Sequence, residues 1–166
     1  MNRESHSKNQ DKDKQEPDKV LGFALDLQKT KQLPYLTTNE AYFNWQLSVY
    51  NCGIHDCGSD KCNFRMWIEA TASRGPAEIS SCILHWLNCL KHLRTEFVVF
   101  SDSYGGQNRN IIIALFWMFV VHEMNIECIY HIFLVSGHSR MPCDEDFGVD
   151  EMEKKKHEQV YNCPSG

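Results

Sequence analysis

The sequence predicts an α/β domain: a mixed five-stranded sheet with flanking helices, in the order β-β-β-α-β-α-β-α. Three observations carry this expectation. VLGFALDL, FVVFS and CIYHIFLV are apolar runs of strand length. AYFNWQLSVYNC and NFRMWIEATA are aromatic and β-rich and read as a hairpin. Helical spacing in the segments that follow supplies the crossovers that parallel strands require.

The first nineteen residues, MNRESHSKNQDKDKQEPDK, hold no aliphatic side chain after Met1 and mix both charge signs. They lack the apolar area that offsets chain entropy and read as a disordered lead-in. One domain is expected over residues 20–160, with 161–166 as a short tail. The chain's 166 residues and 42% hydrophobic content suffice for a sizeable core.

Val20 to Leu27 is the first buried strand, with Asp26 near its end, and QKTKQLP closes it as a turn. The hairpin strands follow, Ala41 to Cys52 and Asn63 to Ala72, with GIHDCGSDKC as their loop. Pro76 suits a first helical turn, and Ile79, Ile83, Trp86, Leu87 and Leu90 recur at helical spacing after it. Phe97 to Ser101 is a short apolar strand that delivers Asp102. Asn108 to Glu123 reads as a largely buried helix, Cys128 to Val135 as the next buried strand, and Asp144 to Val160 as a solvent-facing helix.

The N-terminus lacks the apolar run of a secretory signal. The longest apolar run, IIIALFWMFVV, falls short of the roughly 20 residues that cross a bilayer. The expectation is an intracellular protein of the nucleus or cytoplasm with no membrane partner. In that setting the eight cysteines read as reduced thiols or metal ligands. A net charge of −5 argues against a generic basic nucleic-acid clamp, because phosphate affinity comes largely from Lys and Arg displacing counterions.

Asp26, Asp102 and Asp144 each follow apolar sequence or a tight loop. A lone aspartate at a strand end or helix start is commonly a cap or turn former. Three converging on one sheet edge would hold Mg²⁺ or Mn²⁺ through hard oxygen ligands.

The element order and the strings FALDLQKTKQLP, FSDSYGGQNRN and FLVSGHSRMPCDEDFG resemble a transposon-derived animal family within the ribonuclease H-like (DDE/D) superfamily. The resemblance spans about Val20 to Asp150. It implies a nuclease or transposase core with DNA as partner, with Asp26, Asp102 and Asp144 as catalytic metal ligands for Mg²⁺ or Mn²⁺. His138, ahead of the last acid, would help activate water or cap its strand. Asp146 and Asp150 are fallback candidates for the third acid. Transposases of this superfamily carry a separate DNA-binding module and more chain after the third acid. The sequence therefore reads as a fragment or as a domesticated remnant whose alternative role is that of an inactive interaction module.

The triplet Gly105, Gly106, Gln107 also spells the release-factor motif, but its apolar flanks do not resemble that family's exposed basic loop. The glycines read as a tight turn, with Gln107 and Asn108 capping the next helix or touching a phosphate. Cys52, His55, Cys57 and Cys62 have the atoms for a structural zinc site, yet their spacing fits no CxxC pair, so they read as free thiols and a loop histidine. Cys82, Cys89 and Cys128 read as small hydrophobes, and Trp86, Phe116 and Trp117 as core.

Overall fold

The computed structural model describes residues 19–33, 47–90, 94–135 and 142–158. His138 and residues 41–46 of the expected hairpin lie outside the described residues, as do the lead-in to residue 18 and the tail.

The fold is mixed α/β, with six strands in one open sheet and three helices. The strands are β1 (Val20–Leu27), β2 (Lys31–Leu33), β3 (Leu47–Asp56), β4 (Lys61–Ile68), β5 (Glu96–Asp102) and β6 (Cys128–Leu134). The helices are α1 (Pro76–Cys89), α2 (Ile111–Glu123) and α3 (Pro142–Glu158). β1 is central, antiparallel to β3 on one side and parallel to β5 on the other; β4 pairs with the far edge of β3, and β6 runs parallel to β5.

Two expectations about the strands are corrected. QKTKQLP is not simply a turn: Lys31–Leu33 pairs with β3 along the edge that β1 uses, so β2 prolongs β1 after a break. The register slips by one residue across the break, as at a β-bulge, and this adds the sixth strand. The hairpin loop is also far shorter than GIHDCGSDKC. Gly53 to Asp56 belong to β3, and the turn is only residues 57–60. It is closed by the Asp56 carboxylate, which accepts from Gly58 N at 2.9 Å and Ser59 Oγ at 2.8 Å, with Asp60 at positive φ.

Alternation along β1 assigns its side chains to two faces. Leu21, Phe23, Leu25 and Leu27 join Phe97 and Val99 of β5 against the buried stripes of α1 (Ile79, Ile83, Trp86, Leu87) and α2 (Ile113, Trp117, Val120). Trp86 and Trp117 are core side chains here, packed edge-on around Phe23. Val20 and Ala24 face the other way, with Val98, Phe100, Leu134 and, from α3, Cys143 and Phe147. Asp26 and Asp102 continue this second set by parity, on the face that α3 covers.

α1 begins as expected at Pro76, and Glu78 reinforces the entry by accepting from Ser73 N and Oγ at 3.1 and 2.8 Å. Two features of α2 depart from expectation. It starts at Ile111 rather than Asn108, and its outer face is exposed rather than buried. Cys89 is also exposed, so it is not a packed hydrophobe.

Candidate functional site

In the parallel register of β1 and β5, Leu25 lies opposite Ser101. One residue further, Asp26 and Asp102 end neighbouring strands side by side, where parallel strands lie about 4.8 Å apart and paired side chains share a face. Both acids thus stand on neighbouring strands near the carboxyl end of the sheet's centre, where open α/β sheets place their ligand sites.

Asp26 is half-buried. Its Oδ1 accepts from Leu27 N at 2.8 Å. Burial pushes its carboxyl up to about 6, and the negative charges of Asp144 and Asp102 add to the rise; the Leu27 hydrogen bond and the Arg74 guanidinium oppose it. The structure therefore brings the fields of the other two predicted acids, Asp102 and Asp144, to Asp26. Asp144 occupies the first turn of α3 and is exposed, two residues inside the helix and so not its N-cap.

Three contacts hold α3 over this face. Cys143 Sγ lies 3.5 Å from the Ala24 carbonyl oxygen and 3.8 Å from that of Gly53. His55 Nδ1 and Asp146 Oδ2 are 2.8 Å apart. Gln28 Nε2 donates to Glu151 Oε1 at 3.1 Å, while Asn51 Nδ2 donates to Gln28 Oε1 at 3.1 Å. Gly53 permits the approach: a Cβ there would come within 2.9 Å of the Phe147 ring. Asp146 is thus engaged with a buried histidine, and the side chain of Asp150 lies outside the described residues.

The loop after Asp102 is a built turn. Asp102 Oδ1 accepts from Tyr104 N at 3.2 Å and from Asn108 Nδ2 at 2.6 Å. The Tyr104 carbonyl accepts from the amides of Gln107, Asn108 and Arg109. Asn110, not Gln107 or Asn108, caps α2: its Oδ1 accepts from Ile112 N and Ile113 N at 3.0 and 3.1 Å, and its Nδ2 donates to the carbonyls of Gly105 and Gln107. The reason is positional: Asn108 is buried with its Nδ2 turned onto Asp102, and it stands two residues ahead of the cap position that Asn110 occupies. Gly106 lies beneath the Tyr104 ring, where a Cβ would approach Cε1 to 2.9 Å.

Below Asp102 runs a chain that the sequence did not advertise. Trp117 Nε1 donates to His131 Nδ1 at 3.0 Å, which leaves the neutral ring to carry its proton on Nε2. Nε2 then donates to Ser101 Oγ at 2.9 Å, and the Ser101 hydroxyl donates to the Asp102 carbonyl at 2.9 Å. Burial holds His131 down at about 4, so the chain stays neutral at ordinary pH. It orients the backbone that carries the acid. Arg74 is the other residue the sequence missed. With Leu27, Asp102 and the loop Ser103–Gln107 it lines a cleft of about 590 Å³. Gly75 and Pro76 follow Arg74, so its proximity to the acids arises only from where the α1 entry docks.

The four zinc candidates do not converge. Cys52 points into the α1 face with Ile54, where its thiol meets Cys82, whereas His55 and Cys62 are paired across β3 and β4 on the α3 face, where Cys62 meets Cys143. His55 is a buried strand residue rather than a loop histidine.

The donor chemistry at the sheet edge fits a hard divalent cation. It consists of carboxylate oxygens that repel one another, and Asn51 Oδ1 on the same face is a buried oxygen with no hydrogen-bond partner. Among the described residues, no three His, Cys, Asp or Glu side chains are already closed around one ion position. Also among them, no helix is long and apolar enough to cross a membrane. Compared with protein-family models, with curated proteins and with solved structures, the chain matches none of them.

Proposed function

We propose that this domain is a ribonuclease H-like, transposase-derived nuclease core acting on the phosphodiester bonds of DNA. The observation that carries the reading is the pairing of Asp26 and Asp102 at the ends of adjacent parallel strands, with the charge of Asp144 felt from α3. The sheet adds support: antiparallel strands lie on one side of β1, parallel strands on the other, and a helix covers the acidic face.

In this reading Asp26, Asp102 and Asp144 would hold Mg²⁺ or Mn²⁺. Such an ion supplies a more acidic attacking water and stabilises the leaving oxygen. The chain's own residues set the geometry. Asn108 and the Tyr104 amide hold one oxygen of Asp102, which directs the other to the cleft. Arg74 adds a guanidinium to that cleft and can pair with a phosphate oxygen. His138 would accept a proton near the last acid, as the resemblance implies. Gln107 and Asn108 are both buried, and their role is to shape the loop facing the phosphate.

The test is cleavage of labelled DNA with Mg²⁺ or Mn²⁺, comparing the natural protein with Asp102→Asn. Metal-dependent cleavage that falls by at least about a hundredfold in the variant is the expected result. Equal cleavage by both sinks the assignment. Cleavage by neither favours the second reading, an inactive domesticated interaction module, to which the net charge of −5 lends weight.

A further inference from the structure

We infer that the outer face of α2 is a self-association surface, on which a second copy of this chain packs its own α2 in antiparallel orientation. From Ile111 to Val121 the helix carries no charged side chain, and a helix apolar on every side is ordinarily buried on every side. Here only Ile113, Trp117 and Val120 reach the core fully. Ile111, Ile112, Leu115, Met118 and Phe119 are exposed, from 46% at Ile112 to 69% at Ile111. This leaves roughly 600 Å² of apolar surface in water, the upper end for the largest patch on a monomer. It is also about three quarters of the ~800 Å² that each partner contributes to a standard interface.

The chemistry of the patch selects a second copy. Ile111, Leu115, Met118 and His122 follow one another at helical spacings of four, three and four, which forms a straight seam suited to another helix. Turned antiparallel about a two-fold axis, the seam meets itself with Leu115 of one copy over Met118 of the other. Isologous pairing of this kind requires a surface complementary to itself. A chain of net charge −5 repels its own copies at most contacts, but this stripe brings no like charges together. A lipid surface is a poorer occupant, because interfacial helices bind through Lys and Arg flanking the apolar face, and α2 has none within it. The inference stands apart from the proposed chemistry, since the patch lies on the helix's solvent side and the acids on the opposite face of the sheet.

Sedimentation of the full chain between about 1 and 100 µM tests it. The natural protein should pass reversibly from monomer to dimer. Leu115→Arg and Met118→Glu, both at exposed positions, should each raise the dimer dissociation constant by about a hundredfold or more while far-UV circular dichroism and the unfolding midpoint stay unchanged. An equimolar mixture of the two should recover dimers, because the antiparallel seam sets the new arginine against the new glutamate. A natural protein that stays monomeric, assembles without an end point, or binds neutral or anionic vesicles in place of itself overturns the inference. So does dimerisation that survives either substitution, or a mixture that remains monomeric.

Discussion

The face of the sheet beneath α1 and α2 and the face beneath α3 are built from the same strands, yet they do different work. Among the described residues the first is closed by sixteen buried apolar side chains, centred on Phe23, and its one carboxylate in the β1–β3 register, Asp56, is spent closing the hairpin turn at the strand end. The second has seven, and beside them stand Asp26, Asp102, the His55–Asp146 pair and the Gln28–Glu151 bridge. Parity along β1 makes the difference: odd positions hold Leu21, Phe23, Leu25 and Leu27, while even positions pass from Val20 through Gly22 and Ala24 to Asp26. One face is therefore available for stability. The other gives up apolar area, is held by a few polar ties, and can carry charges whose mutual repulsion the first face must offset.

Phe23→Ala should give the largest effect, because it opens a cavity between Trp86, Phe97 and Trp117, where little can collapse. A loss of about 3–5 kcal/mol in denaturant unfolding is expected. Phe147→Ala on the other face should cost less, about 2 kcal/mol, since α3 can re-seat against Gly53. Hydrogen exchange should then show α3 opening before the sheet. Equal losses at the two positions would break the comparison.

The next effect is electrostatic and depends on pH. The carboxyl of Asp26 rises from 3.8 to about 6 on folding, so the folded state holds this proton more tightly than the unfolded chain does. The resulting stabilisation is complete below about pH 4 and is lost as pH rises through 6. The loss amounts to at most about 3 kcal/mol. Asp26→Asn in metal-free buffer should thus be more stable than the natural protein at pH 7 and flatter between pH 4 and 7, while losing any cleavage activity. Millimolar Mg²⁺ should stabilise the natural protein and not the variant. A variant less stable at pH 7 would show that the acid is not a strained site residue.

The smallest effect belongs to the turn that launches α2. Asn110→Ala removes the side-chain oxygen that accepts from Ile112 and Ile113 and the amide that ties Gly105 and Gln107. About 1–2 kcal/mol should be lost in thermal or denaturant unfolding. Asn108→Ala should instead leave the helix capped and disturb Asp102, so the two variants separate capping from positioning.

Much of this molecule is legible in its sequence. Apolar runs identify β1, β5 and β6, helical spacing identifies the buried stripe of α1, and the acids at Asp26 and Asp102 stand out because charge at the end of a buried strand is costly. These are local patterns, set by side-chain periodicity along one stretch of chain. Tertiary structure decided the rest. That β2 continues β1, that Asn110 rather than Asn108 caps α2, that Arg74 enters the cleft and His131 underlies Asp102, and that α2 shows an apolar face to water all depend on which segments dock against one another. Periodicity records that a side chain is apolar or polar, but a residue's partner across the sheet lies tens of positions away, and only packing brings the two together.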